Sequence, residues 1–257
     1  MEETKAQTPS PAIVVNDLTM AYGDFVLMQG LNFTVNRGDV FIIMGGSGCG
    51  KSTLLRVLVG LKEPATGKVL YGGDESLWDA DEDHKTRLLR RTGLLFQSGA
   101  LFSSMTLAEN IALPIKQYTK LSDAEIRDMA SFKLALVGLA GFENYLPSQI
   151  SGGMAKRAGL ARAMALDPDI LFFDEPSAGL DPVSARLLDD LILELRDSLK
   201  ATFVVVTHEL ASIFAIGSNS VFLDVGTRTM TASGNPTHLL ETSTDPALRH
   251  FLTRGAE

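Results

Sequence analysis

A single cysteine, Cys49, rules out any disulfide within the chain and fits a reducing compartment. Long apolar runs are missing as well. No uncharged stretch nears the roughly 18 residues that a bilayer-crossing helix needs. Basic residues are outnumbered, 23 Lys and Arg against 31 Asp and Glu, for a formal net charge of −8. That balance leaves no cationic stripe for a nucleic-acid backbone and no polybasic patch for an anionic membrane, so no nucleic-acid partner is expected. The opening Met-Glu-Glu-Thr-Lys-Ala-Gln-Thr is polar and acidic, unlike a secretory leader. No internal repeat is visible, so each motif occurs once. What is present is an ordinary globular composition: 257 residues, 45% hydrophobic and 21% charged, enough for one large domain or two small ones.

The stretch Met44-Gly-Gly-Ser-Gly-Cys-Gly-Lys-Ser-Thr53 fits G-x-x-x-x-G-K-[ST] through Gly45, Gly50, Lys51 and Ser52, the phosphate-binding P-loop. Glycines let the backbone curl round an anion and turn successive N–H groups inward. The candidate cradle is Gly45, Gly46, Ser47, Gly48, Cys49, Gly50 and Thr53. Lys51 reaches the β- and γ-phosphates, and the Ser52 hydroxyl is placed to ligate Mg²⁺. Val-Phe-Ile-Ile-Met over 40–44 reads as a buried strand feeding the loop, and 52–59 as the helix leaving it. That helix turns its partly positive N-terminus to the phosphates. Helix polarity at Cys49 is expected to lower the thiol pKa, so alkylation should block nucleotide binding and nucleotide should protect.

Residues 1–11 read as a frayed tail. Ile13-Val-Val and Leu31-Asn-Phe-Thr-Val35 read as strands, with a turn over 20–24 exposing Tyr22. That ring either stacks on a purine or packs over the turn. A turn over 63–67 and a short strand over 68–71 follow. From 74 to 91 acids come first and bases last, which predicts a solvated helix with no chemistry. Gly93-Leu-Leu-Phe96 reads as a buried strand ending at Gln97. From 98 to about 165 the pattern is helical (107–113, 123–137 and 152–165), so a helical insertion in an α/β domain is expected. Ile170-Leu-Phe-Phe-Asp174 is a strand apolar enough to be covered on both faces. Asp181-Pro182 is an N-cap with proline at the first helical position. Val183, Leu187, Leu188, Leu191, Ile192 and Leu195 form the inward face of the helix that follows. Thr202-Phe-Val-Val-Val206 is another buried strand, 221–231 a closing hairpin, and a short helix ends at Leu252.

In open α/β sheets ligands bind beyond the carboxyl ends of the strands. Three such ends carry polar groups: the P-loop, Asp174 with Glu175, and His208. Asp174 is the expected Mg²⁺ partner, through water. Glu175 is then free to orient and deprotonate the attacking water. His208 can hold the γ-phosphate, and Gln97 can reach the metal or the water. Taken singly, each is a strand-end cap or a structural histidine. Taken together in a P-loop chain, they describe an ATPase site. Ser151-Gly152-Gly153, opening a helix, is either a second anion-binding N-terminus or an ordinary cap with tight packing.

These motifs, in this order, resemble the ATP-binding subunits of ABC transporters over essentially the whole chain. The matching pieces are the P-loop at 45–52, Q-loop Gln97, signature Ser151-Gly-Gly-Met154, the Walker B strand ending at Asp174, Glu175, the D-loop ending at Asp181, and switch His208. The resemblance implies one α/β domain over 1–257. Its parts would be a RecA-like P-loop NTPase core with an antiparallel β subdomain (12–97 and 166–257) and a helical subdomain (98–165). It implies ATP and Mg²⁺ as cofactors, and Tyr22 as the adenine-stacking aromatic. It also implies a homodimer packed head to tail, each ATP lying between one P-loop and the signature of the second copy. Met154 departs from the family's usual glutamine, and a thioether cannot make an amide's polar contacts. Ser151, Gly152 and Gly153 are retained, so activity is expected.

Within the family, Ser-Gly-Gly-Met-Ala-Lys-Arg, Leu95-Phe-Gln-Ser-Gly-Ala-Leu-Phe102 and Glu109-Asn-Ile-Ala-Leu-Pro114 are similar to the ATPases of bacterial lipid-asymmetry (Mla) systems. That similarity implies a peripheral, cytoplasmic position on the inner face of a bacterial inner membrane. It implies as partners an integral membrane permease of MlaE type and an MCE-domain lipid-binding protein of MlaD type. Leu101 and Phe102 are then either the floor on which the permease docks or core residues of the insertion. Because the shared motifs do not choose cargo, two other readings stand: a small-solute ABC importer, and a soluble ABC ATPase that assists assembly.

Overall fold

Two long strands, β1 (Pro11–Tyr22) and β2 (Phe25–Asn36), open the chain as an antiparallel hairpin. The computed structural model describes residues 10–254, so the expected frayed tail lies outside the described residues up to position 9. Pro11, placed in that tail from sequence, instead pairs with Asn36. The expected turn over 20–24 contracts to Gly23 and Asp24, and Tyr22 ends a strand, opposite Phe25. β3 (Val40–Gly45) delivers the P-loop to α1 (Lys51–Leu58). β4 (Thr66–Tyr71) returns to β1, and β5 (Glu75–Ser76) pairs with it.

The expected helix over 74–91 forms only in its second half, as α2 (Glu82–Arg90), because Asp81 caps it by accepting from His84 N at 2.7 Å. β6 (Thr92–Leu95) follows; its last sheet partner is Leu95 against Phe173, and Phe96, expected to be buried, is exposed beyond that pair. Three helices come next: α3 (Leu107–Tyr118), α4 (Asp123–Leu136) and α5 (Gly152–Ala163). α3 runs through Pro114, past the end expected at 113. A proline inside a helix costs about 3 kcal/mol. A capping box between Thr106 and Glu109 opposes that cost, as does burial of Leu107, Ile111 and Ile115. Each such side chain is worth about 1.5–3 kcal/mol, so the helix continues.

The chain then alternates: β7 (Ile170–Asp174), α6 (Pro182–Leu199), β8 (Thr202–Val206), α7 (Leu210–Ile216) and β9 (Asn219–Asp224). It ends in β10 (Thr229–Ser233), α8 (Pro236–Thr242) and α9 (Pro246–Leu252). On α6, Leu188, Leu191, Ile192 and Leu195 are buried as expected. Val183 and Leu187 are 70% and 57% exposed, so the inward face starts only in the second turn.

The strands form two sheets, ordered β2-β1-β4-β5 and β10-β9-β3-β8-β7-β6. In the larger, β9, β3, β8, β7 and β6 are parallel and β10 is antiparallel at the edge. Side chains alternate between the two faces of this sheet. Val40, Ile42, Phe173, Phe203 and Val205 join a core with α3, α4, α5 and α6. Phe41, Ile43, Phe172, Val204 and Val206 join a second core with α1 and the smaller sheet. Ile43 and Asp174 both pair with Val206, so the P-loop, Glu175 and His208 leave the sheet at one edge.

Candidate active site

Gly45 begins the P-loop with φ 150°, and a Cβ there would lie 2.5 Å from Leu223 O and 2.7 Å from Cys49 Sγ. Gly50 ends it in the left-handed region at φ 92° and stands at the N-cap of α1. No side chain caps α1 and no acid occupies its first turn. Its leading N–H groups are therefore left to an anion. Lys51 Nζ donates to Gly45 O and Gly46 O, each at 2.9 Å, which folds the amine over the loop. Ser52 Oγ donates to Asp174 Oδ1 at 3.0 Å. A hydroxyl and a carboxylate held together in this way are the hard oxygen donors that suit Mg²⁺. Among the described residues no three His, Cys, Asp or Glu side chains gather as a cage. Mg²⁺ rarely needs one, since phosphate oxygens and water complete its shell.

Glu175 has φ 50°, left-handed for a residue with a side chain, and its N–H is held by Val206 O at 2.9 Å. Such a conformation persists only where its surroundings over-determine it. The residue is 9% exposed. Its Oε1 hydrogen-bonds His208 Nδ1 at 2.8 Å, while Oε2 is buried with no hydrogen-bond partner among the described residues. Glu175 stands in the wall of the P-loop cavity, where a carboxylate can serve as a base for water. His208 turns its other nitrogen to within 3.6 Å of Glu209 Oε1.

The cavity measures about 900 Å³ and is lined by Tyr22, the P-loop, Gln97, Glu175 and His208. The Tyr22 hydroxyl hydrogen-bonds Thr53 Oγ1 at 3.2 Å, and Lys62 Nζ lies 4.1 Å from the ring centroid. Phe25, its pairing partner across the hairpin, lines the same mouth with Arg228 over its ring at 5.2 Å. Sequence reasoning missed Phe25, although an aromatic three residues past Tyr22 across a Gly-Asp turn was a readable signal. It also missed His250, Phe251 and Arg254, which reach the cavity from the chain's far end. Arg254 Nη2 approaches Glu209 Oε2 at 3.3 Å. No local pattern announces that contact.

Cys49 departs from expectation. Its side chain is fully buried in the second core and does not line the cavity. Burial pushes the thiol pKa up, and the opposing pull of Lys51 is the smaller influence. The shift thus runs opposite to the expected lowering, which removes the ground for the expected alkylation behaviour.

The signature lies elsewhere. Ser151 caps α5, accepting from Met154 N at 3.2 Å, and none of Ser151, Gly152, Gly153 or Met154 lines the P-loop cavity. A Cβ on Gly153 would lie 3.3 Å from Ser184, so the signature abuts the start of α6. There Asp181 accepts from Val183 N and Ser184 N, both at 3.0 Å. The Ser184 hydroxyl, then its amide, hold the Asp181 carboxyl below the usual carboxylate range. Met154 packs, half-buried, against the first core, an environment suited to a thioether. Leu101 and Phe102 divide between their two readings. Leu101 packs against the core, whereas Phe102 is 51% exposed in a second concavity of about 460 Å³ with Phe96, Leu113 and Tyr118.

Comparison with known proteins places this geometry. The ABC transporter family model matches residues 28–178. The probable ribonucleotide transport ATP-binding protein mkl of Mycobacterium tuberculosis H37Rv is 41% identical over 242 residues, 94% of this chain and 66% of that relative. The chain thus spans just under two thirds of that relative's length. The intermembrane phospholipid transport system ATP-binding protein MlaF of Haemophilus influenzae is 39% identical over 240 residues, 93% of this chain and 89% of the relative. MlaF of Escherichia coli K12 is 37% identical over 246 residues, 96% and 90%. Among solved structures, cbiO1 from Clostridium perfringens, part of the ABC transporter complex cbiONQ, superposes with TM-score 0.82 at 27% identity, covering 90% of this chain and 91% of that one. The bacterial ABC transporter cassette MJ0796, solved as a dimer, gives 0.77 at 31%, covering 87% and 98%. Its post-hydrolysis state with ADP and Pi gives 0.77 at 29%, covering 87% and 98%.

Proposed function

Since the chain belongs to the ABC transporter family, we propose that it is an ATP-binding subunit that hydrolyses ATP and so powers phospholipid transport between membranes. The observation that carries the cargo assignment is the similarity to two MlaF proteins along about nine tenths of each chain. In this reading two copies of the chain pack head to tail. They sit on the inner face of a bacterial inner membrane, beneath a permease of MlaE type that works with an MCE-domain protein of MlaD type. No described helix is long and apolar enough to cross a membrane, so the permease supplies the spans.

The geometry supports the following residue roles. Lys51 and the free N–H groups of α1 bind the β- and γ-phosphates, and Tyr22 with Phe25 brackets the base. Ser52, Asp174 through water, and Gln97 would hold Mg²⁺, which would supply charge neutralisation at the phosphates. Glu175, in the cavity wall, orients and deprotonates water, while His208 holds its carboxylate through Oε1. Ser151, Gly152 and Gly153 serve the nucleotide of the second copy, because the cavity of their own chain does not include them. Residues 12–97 and 166–257 act as the core and 98–165 as a helical arm. Phe102, on that arm's exposed concavity, meets the permease.

The mycobacterial relatives, named for ribonucleotide transport, support a second reading in which the cargo is a nucleotide. Affinity purification of the tagged chain from detergent-solubilised membranes separates the two. The phospholipid reading expects a permease and an MCE-domain protein to co-purify, with phospholipid bound. Phe102→Asp should lose both partners yet keep ATP binding. Recovery with a solute-binding protein and no MCE-domain protein, or in a membrane-free complex, would sink the lipid assignment.

A further inference from the structure

Residues 97–106, between β6 and α3, form no regular secondary structure, yet helix side chains hold their carbonyls one after another. Lys156 Nζ donates to Gln97 O. Arg162 donates to Ala100 O at 2.7 Å and to Gly99 O at 3.4 Å. Asn110, fully buried, donates through Nδ2 to Phe102 O, Met105 O and Thr106 O at 3.1, 3.2 and 2.9 Å, and accepts from Phe102 N at 2.7 Å. Gly159, on the turn of α5 between the two cations, lets the loop approach. A Cβ there would lie 3.0 Å from Gly99 O.

Lys156 is the unusual member of this set. It is 7% exposed. A buried ammonium costs several kcal/mol unless it is paired. Lys133, the other buried lysine among the described residues, forms an ion pair with Asp167. Lys156 has no carboxylate within ion-pair distance among the described residues, and its hydrogen-bond partner is a neutral backbone carbonyl. Burial accordingly pulls its pKa down, opposed by the field of Glu175. Packing alone would favour an apolar residue of similar volume at this position. The ammonium therefore acts on what it touches. What it touches is the main chain of Gln97, a residue that lines the same cavity as Glu175.

We propose that Lys156 is a positioning residue for hydrolysis: from the signature helix it fixes the Gln97 main chain, and so sets the Gln97 side chain against the water that Glu175 activates. The signature N-cap Ser151 and the Q-loop then move as one piece, because α5 carries the first and grips the second. The inference rests on ATP hydrolysis and is independent of the cargo. Lys156 does not line the P-loop cavity of its own chain; its effect runs through Gln97.

Steady-state Mg·ATP hydrolysis by the full-length chain tests it. Lys156→Met lowers kcat at least about fivefold while KM for ATP stays within about twofold, as expected for a misplaced group rather than a lost binding contact. In a Gln97→Ala background the same change costs less than about twofold further, because the route is already cut. Should the methionine variant fail to fold, Lys156→Gln, uncharged and of shorter reach, is predicted to show the same split. A kcat loss smaller than about fivefold, a KM rising in step with that loss, or losses that multiply in the double variant each overturn the proposal.

Discussion

Two neighbouring side chains of the P-loop face opposite ways. Lys51 folds its amine onto the loop carbonyls, and Cys49 turns its thiol into the core under Gly45. A buried thiol with a raised pKa is protonated and shielded at neutral pH, so it is a poor nucleophile. Iodoacetamide at pH 7.5 should therefore label Cys49 only as fast as the chain unfolds. Saturating ATP should slow that labelling only as far as it stabilises the fold. Rapid labelling of the folded chain, abolished by ATP, would contradict this. Cys49→Ser places a hydroxyl in an apolar pocket and should cost about 1–3 kcal/mol, read as a lower urea midpoint. The sequence made the cysteine's amide neighbours visible but not the direction of its Cβ, which only the loop's path decides. Glu175 is the opposite case. Its place after an apolar strand made it a candidate, and it does lie in the cavity wall, although neither its left-handed backbone nor its bond to His208 could be read in advance.

Strands and the longer helices were legible where burial enforces a simple period. β3, β7 and β8 each carry an unbroken run of four or more apolar residues because each is covered on both faces, and Asp181-Pro182 does start α6. Boundaries failed where tertiary packing outvoted a local signal. α3 passes through Pro114, and Val183 and Leu187 fit the α6 period but stand beyond the elements that cover the rest of that face. α5 offers a test at this scale. In an exposed helix Gly→Ala gains about 1 kcal/mol. At Gly159 a Cβ would meet Leu95 Cδ1 at 2.9 Å, Gly99 O at 3.0 Å and Gly99 Cα at 3.3 Å. A backbone carbonyl held by Arg162 cannot swing aside, and overpacking typically costs about 1–3 kcal/mol. Gly159→Ala should therefore lower stability by up to about 2 kcal/mol, and lower kcat by shifting the Q-loop. A higher urea midpoint would show that helix propensity wins and that the α5–loop contact is slack.

At the scale of the whole molecule, the N-termini of α1 and α5 do not meet inside one chain. α1 opens onto the P-loop cavity, whereas α5 opens beside Asp181 at the start of α6. Neither helix has an acid in its first turn, so both ends stay electropositive in a chain of net charge −8. Two such chains repel one another at long range. Without nucleotide they should stay apart, and a triphosphate held by Lys51 in one copy and facing α5 of the other is the charge that can join them. Glu175→Gln separates joining from chemistry. It keeps every phosphate contact and a side chain of the same shape beside His208, but removes the base. Hydrolysis should fall by about 10²–10⁴. ATP then persists, and light scattering after gel filtration in Mg·ATP should give twice the chain mass. With ADP the same protein should run as a single chain. Adding Ser151→Trp and Gly152→Asp to Glu175→Gln blocks and charges the N-terminus of α5 while leaving the P-loop cavity intact. That triple change should bind ATP yet stay monomeric. A Glu175→Gln protein that remains monomeric in saturating Mg·ATP would remove the shared site. A triple variant that still dimerises would show that the contact between copies lies on some other face.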